Sequence, residues 1–245
     1  MGLGTACQKC AVRQRALCGA LSDQTLQRFV HRRRAPTGNV ILEGDEQPNW
    51  IGIILTGVVK LMKTSEDGRR QIVALQFPGQ FVGRPQGRPS PFLAEAATDI
   101  ELCCFAMSAF DALLRENRAL EQVVMNQALE ELDLAREWMF VLGRKTAKEK
   151  VASLLLLIAH HLAPDGEHAY GACAEDDQAA DLGPVEFALP LSRTEMADYL
   201  GLTIETVSRQ MSNMKENGII CVKGARMVTV PDVGALQRWG ERDQG

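Results

Sequence analysis

A chain of 245 residues, 46% hydrophobic and 24% charged, is long enough for two modest domains, each with its own core. No apolar run approaches the ~20 residues of a bilayer-spanning helix, and the amino-terminal arginines lack the apolar stretch of a secretory signal, so a cytoplasmic protein without a membrane partner is expected. The net charge of −4 does not by itself announce a nucleic-acid partner, but residues 164–186 hold seven acids and no Lys or Arg, and without them the formal charge is +3.

The first element is the stretch MGLGTACQKCAVRQRALCGA, which places Cys7, Cys10 and Cys18 within twelve residues of a segment too short and too basic to bury them in a core of its own. Seven cysteines in a reducing compartment argue against a disulfide framework, so clustered ones point to a metal or redox role and isolated ones to packing. Three thiolates are most of a zinc site and equally most of an iron-sulfur site, and metal-free thiol redox sensing remains a third option.

Residues 38–110 follow with short β-branched runs: VIL at 39–41, WIGIILTGVVKLM at 50–62, QIVALQF at 71–77 and DIELCCFAM at 99–107. Glycines between them mark turns, and Asp67-Gly68 is a hairpin signal. An antiparallel β-roll or barrel is expected. A cupin-type metal enzyme is excluded because the segment holds no histidine.

From Asn117 to Gly143 the period becomes helical. Met125, Ala128, Leu132, Ala135, Met139 and Leu142 recur at alternating spacings of three and four, the seam of a coiled coil. One reading packs this helix on its own domain. The other, favoured by two small alanines that let a partner helix approach, is a symmetric homodimer. A second helix, about Ala147 to Leu162, precedes the acidic stretch, which reads as a loop.

In LPLSRTEMADYLGLTIETVSRQMSNMKENGII, Ser192 and Glu195 form a capping box opening a helix that ends at Leu200. Gly201 breaks it, and Thr203 caps a second helix. Ile204, Val207, Met211 and Met214 make one apolar face of that helix. Glu205, Ser208, Arg209 and Ser212 form a polar row opposite. IICVKGARMVTV then reads as a hairpin turning at Lys223-Gly224. A winged helix-turn-helix is expected, with Thr203, Glu205, Ser208, Arg209 and Ser212 as its DNA-binding residues, since arginine pairs with guanine edges, glutamate accepts from exocyclic amines and serine bonds either base or phosphate.

This order of elements, with the string LGLTIETVSRQMSNMKENGII, resembles the Crp/Fnr family of bacterial transcription regulators over essentially the whole chain. The resemblance implies an α+β protein. An amino-terminal antiparallel, cyclic-nucleotide-binding-like β-roll (31–116) follows a cluster-binding segment (1–30), then come a long dimerisation helix (117–145) and a carboxy-terminal winged helix-turn-helix (146–245). The E-x-x-S-R pattern at Glu205, Ser208 and Arg209 is similar to the recognition helix of the FNR branch, which implies a palindromic double-stranded operator with TTGAT-type half-sites. Cyclic-AMP receptors of the family use a glutamate after a glycine and an Arg-Ser pair. Here Gln80 and Ser90-Pro91 stand in those places, so a cyclic phosphate would be poorly compensated.

FNR-type oxygen sensors carry an amino-terminal cysteine cluster plus one β-roll cysteine. The resemblance therefore implies a 4Fe-4S cluster on Cys7, Cys10, Cys18 and Cys103, and the C-x2-C-x7-C spacing is similar to an FnrL- or FnrN-like subgroup. Adjacent strand residues point to opposite faces, so only one of Cys103 and Cys104 reaches the cluster: Cys103 takes the family's ligand position, with Cys104 the alternative, and Cys173 and Cys221 are bystanders. RNA polymerase is an implied partner, with the hairpin around Glu66-Asp67-Gly68-Arg69 a candidate surface. The competing classes are a regulator with a zinc or metal-free thiol site and a ligand-binding module that does not act on DNA. No enzyme is expected, because four scattered histidines form no triad and no P-loop occurs.

Overall fold

Strand alternation organises the first half of the chain. The computed structural model describes residues 7, 9–162, 184–224 and 226–241, and they fall into two units, Met1–Leu129 and Glu130–Gly245. The boundary lies inside the long helix Arg118–Arg144.

In the first unit, eight strands form two antiparallel four-stranded sheets. One has the order β1 (Val30–Ala35), β8 (Ile100–Ala106), β3 (Trp50–Thr56), β6 (Phe81–Val82). The other runs β2 (Val40–Leu42), β7 (Leu93–Ala96), β4 (Val59–Thr64), β5 (Arg70–Gln76). This is the expected β-roll. The 50–62 run divides at Gly57 into β3 and β4, and β4 returns as β5 through the turn at Asp67-Gly68.

β8 is buried on both faces. Ile100, Leu102 and Cys104 join Ala35, Ile41, Ile54, Val59 and Val82 in the interior of the roll. Cys103 and Phe105 point the other way, into a second core with Ile51 and Ile53 of β3. That outer face is covered by Val12, Ala16, Leu17 and Leu21 of the amino-terminal segment and by Phe110 and Leu120 of the helices that follow β8. The Phe105 and Phe110 rings meet at 5.9 Å and are almost fully buried, each burial contributing about 1.5–3 kcal/mol. Two helices of this unit lie outside the sequence reading. Asp23–Phe29 is opened by Ser22, whose hydroxyl accepts from Thr25 N, and Met107–Glu116 continues directly from β8.

In the second unit, helix Ala147–Leu162 buries a continuous run from Val151 to Ala159. It is opened by a reciprocal pair in which Thr146 N donates to Glu149 Oε2 at 2.6 Å and Glu149 N to Thr146 Oγ1 at 3.4 Å. The helix-turn-helix is Arg193–Leu200 and Ile204–Glu216. Its wing is a three-stranded sheet, β10 (Cys221–Lys223), β11 (Met227–Val230) and β9 (Val185–Ala188), followed by helix Val233–Gly240. The third wing strand and the last helix were not legible as separate elements. The acidic stretch with Cys173 lies mostly outside the described residues, which resume at residue 184. No helix among the described residues is long and apolar enough to cross a membrane.

Candidate cysteine site and nucleic-acid interface

The amino-terminal segment is a chain of tight turns. Cys10 N donates to Cys7 O at 3.3 Å, Arg13 N to Cys10 O at 3.2 Å, and Leu21 N to Cys18 O at 3.1 Å. Gly19 permits the closest of these approaches, because a Cβ there would stand 2.7 Å from the Arg13 carbonyl oxygen. Laid on the outer face of β1, β8 and β3, the turns bring Cys7, Cys10 and Cys18 together with Cys103 around one cavity, whose other lining residues are Arg13, Leu26, Val30, Arg32 and Leu55. Four cysteines separated by up to 96 positions thus share a mostly apolar pocket.

Cys18 and Cys103 are buried, and desolvation pushes their thiols up to about 11 and about 12. The other cysteines of the set add to both shifts. Cys10 and Cys7 raise Cys18, and Cys18, Cys7 and Cys10 raise Cys103, while Arg13 works in the opposite direction on Cys18. Cys104 is fully buried in the roll interior, where burial likewise pushes its thiol up to about 11. Cys221 is exposed on β10.

Among the described residues no three His, Cys, Asp or Glu side chains converge tightly enough to hold a single metal ion. Tetrahedral zinc, with Zn–S near 2.3 Å, would draw four sulfurs to within about 4 Å of one another. A cubane takes one thiolate on each of four irons and so spaces its ligands around a larger body. Four thiols around one cavity are a donor set that either centre could take.

Two side-chain amides tie the cysteine segment to the long helix. Asn117 caps that helix, its Oδ1 accepting from Leu120 N at 3.1 Å, while its Nδ2 donates to Ala20 O at 3.1 Å. Gln127 Nε2 donates to Arg15 O at 2.9 Å and to Gly79 O at 3.5 Å. Sequence reasoning missed both residues. The cap position of Asn117 was a usable signal, whereas Gln127 had none.

Beyond these ties the helix presents an apolar face to solvent. Met125, Leu132 and Met139 of the expected seam are exposed, as are Ala128 and Ala135. Leu142 is half-buried, and Leu129 and Phe140, absent from the heptad, are exposed beside the others.

Gln80 Oε1 accepts from Phe77 N at 2.7 Å and Ser90 Oγ from Phe92 N at 3.3 Å, so both side chains serve their own turns. In the Glu66–Arg69 turn, Asp67 bonds Ser65 and meets Arg69 Nε at 2.7 Å; these hydrogen bonds hold its carboxyl below the usual carboxylate range.

The helix-turn-helix is built by local chemistry. Ser192 Oγ accepts from Glu195 N and Glu195 Oε2 from Ser192 N at 2.8 Å, completing the capping box. Gly201 closes the helix in a left-handed conformation, φ 61°, which L side chains rarely adopt. Thr203 Oγ1 accepts from Thr206 N at 3.2 Å and is thereby engaged as the cap of the next helix. Val207, Met211 and Met214 are buried beneath that helix. Ile204 departs from the expected apolar face: it is 43% exposed. Glu205, Arg209 and Ser212 stand exposed and Ser208 is half-buried. Arg209 and Ser212 make no side-chain bond among the described residues, and bonds from its own backbone N–H and from Thr203 hold the Glu205 carboxyl below its ordinary value. The row thus offers an arginine fork, an ionised acceptor and hydroxyls on a rod that fits a major groove.

Residues 149–239 match the family model described as a Crp-like helix-turn-helix domain, and residues 32–117 the one described as a cyclic nucleotide-binding domain. The chain is 45% identical to a probable transcriptional activator of Rhizobium leguminosarum bv. viciae, across 97% of this chain and 94% of that protein. It is 40% identical to the transcriptional activator protein FnrL of Cereibacter sphaeroides, across 94% and 90%. Among solved structures, FixK2 from Bradyrhizobium japonicum aligns with a TM-score of 0.71 and 30% identity, covering 87% of this chain and 98% of that one.

Proposed function

Because the chain belongs to the Crp/Fnr family of transcriptional activators, with a DNA-binding helix-turn-helix, we propose that it is an oxygen-responsive regulator that binds a palindromic TTGAT-type operator as a homodimer while a 4Fe-4S cluster is held by Cys7, Cys10, Cys18 and Cys103. The observation that carries this reading is the meeting of these four cysteines around one cavity on the outer face of β8. The bound cluster would supply an oxygen-labile centre, and the chain's own residues make its state consequential. Ligation would pin the amino-terminal segment to Cys103. The pinned segment keeps its Ala20 and Arg15 carbonyls on Asn117 and Gln127 of the long helix.

With the segment held, the seam of Met125, Ala128, Leu132, Ala135, Met139 and Leu142 pairs with a second copy. Pairing sets two recognition helices one DNA turn apart, with Glu205, Ser208 and Arg209 on base edges and Thr203 and Ser212 beside the backbone. Release of the segment removes two hydrogen-bond acceptors from that helix and returns the chain to weakly binding monomers. Gln80 and Ser90 are uncharged and engaged in their own turns, which supports a signal other than a cyclic nucleotide. RNA polymerase is the expected further partner, through the exposed Glu66–Arg69 hairpin.

Protein purified without oxygen should contain about four irons and four acid-labile sulfides per chain, absorb visible light, and bind the palindrome. Brief air exposure should bleach it and release the DNA. Stoichiometric zinc, or operator binding indifferent to air, would refute the oxygen reading and leave a family regulator with another signal.

A further inference from the structure

The cysteine cavity contains two cations that the ligand set does not explain, Arg13 and Arg32. Arg32 lies opposite Cys103 in register, and its Nη1 is 3.0 Å from Glu101 Oε1, a carboxylate that also meets Arg34 at 3.3 Å. Its charge is turned along the sheet surface. Arg13 is different, because it sits inside the loop between Cys10 and Cys18 and is fixed from several sides. Its backbone N–H bonds Cys10 O, its Nη1 and Nη2 reach Cys7 O and Leu21 O at 3.5 Å, and Nη1 is 2.5 Å from Asp23 Oδ1. Gly19 closes on its carbonyl. Arg13 lines the cavity beside the four cysteines, whereas Asp23, its carboxylate partner, is not among the lining residues.

We propose that Arg13 is the counter-charge of the cysteine site, and that the Arg13–Asp23 pair sets how readily a centre held by Cys7, Cys10, Cys18 and Cys103 accepts an electron. The proposal rests on the cluster reading above and adds the residue that tunes it. Four thiolates make the centre anionic, and a one-electron reduction adds a further negative charge without removing a ligand. In a buried, mostly apolar pocket that added charge is costly unless a cation faces it. Charge and hydrogen bonding around the sulfurs are the levers by which a protein moves the potential of such a centre. Arg13 stands within reach of the site, since it lines the same cavity as the four cysteines and bonds the Cys7 carbonyl.

The test measures the midpoint potential of the one-electron couple in full-length, cluster-loaded protein by anaerobic dithionite titration. Arg13→Met should lower the reduction equilibrium constant about tenfold, a shift of about −59 mV. Asp23→Asn, which keeps the guanidinium and removes its offset, should shift the potential upward. Arg13→Lys, which keeps the charge and loses the fork, should stay near the parent. Opposite signs for the first two variants are the signature of charge, because loss of a purely structural brace would loosen the loop in both. Where Arg13→Met fails to take up iron, the upward shift of Asp23→Asn decides. Shifts of the same sign, or none, in variants of a parent with normal cluster absorption would overturn the Arg13 assignment alone. A parent without cluster absorption would overturn the cluster reading and this inference with it.

Discussion

Met139→Ala tests whether the exposed face of the long helix is a dimer seam. Met139 is 73% exposed, Met125 58%, Phe140 55%, Leu129 50% and Leu132 44%. About half of each side chain is therefore still available for burial. Complete burial of such a side chain contributes about 1.5–3 kcal/mol, which leaves about 1 kcal/mol for each of these residues and about 10 kcal/mol for the two copies together. Association costs about 4–15 kcal/mol in lost freedom. The seam alone thus makes a dimer near its balance point, where a modest change in the neighbouring segment decides the state. For Met139, 73% of the side chain corresponds to about 2–4 kcal/mol over both copies, or about a 30- to 1000-fold weaker dimer. Sedimentation equilibrium on anaerobic protein reads this constant directly, with Glu137→Ala, an exposed substitution off the seam, as the control. An unchanged constant in Met139→Ala, or an equal loss in the control, would refute the seam.

Cys103→Ser should abolish iron retention while Cys104→Ser retains it at some cost in stability, as read by iron analysis and thermal melting, because Cys103 lines the cavity and Cys104 fills the roll. Gln127→Glu sets a carboxylate against the Arg15 and Gly79 carbonyls in place of a donor; leaving such groups unsatisfied costs about 1–3 kcal/mol, so limited trypsin digestion should cut sooner after Arg13 or Arg15 than in the parent. Arg209→Ala should weaken operator binding by about 1–3 kcal/mol and relax preference at one base pair in a substituted-operator titration; uniform weakening would make it a phosphate contact. The metal-free fold should lose stability above pH 9. Cys18 and Cys103 rise from 9.0 to about 11 and about 12 on folding, so there the unfolded chain has released protons that the fold retains, and each thiol costs about 1.4 kcal/mol per pH unit until its folded value is reached. Denaturant melts between pH 8 and 11 check the sign.

Much of this was legible in the sequence because it rests on local chemistry. The capping box at Ser192 and Glu195, the break at Gly201 and the cap at Thr203 each involve residues within three or four positions, and all appear as read. The turn at Asp67-Gly68 belongs to the same class. What escaped depends on tertiary placement. Ile204 lies on the apolar stripe and is nonetheless exposed, which a helical wheel cannot contain. Arg13, Gln127 and Leu129 carry no pattern of their own; their roles arise when a segment near residue 15 is laid against a turn at residue 79 and a helix at residue 127.

One strand explains how a cyclic-nucleotide-type roll can host a cysteine site without using its interior. A period of two sends Ile100, Leu102 and Cys104 into an interior filled by aliphatic side chains, and Cys103 and Phe105 outward. Lys60, buried in the opposite sheet, is spent on its cross-strand partner Glu95 at 2.8 Å. A site on the outer face needs a cover, and the chain supplies one with its amino-terminal segment, whose own apolar residues complete the second core. The same cover touches the first turns of the long helix through Asn117 and Gln127. In the proposed mechanism, a centre that binds or releases the cover would act on that helix and its exposed apolar face, and the interior of the roll would not need to change.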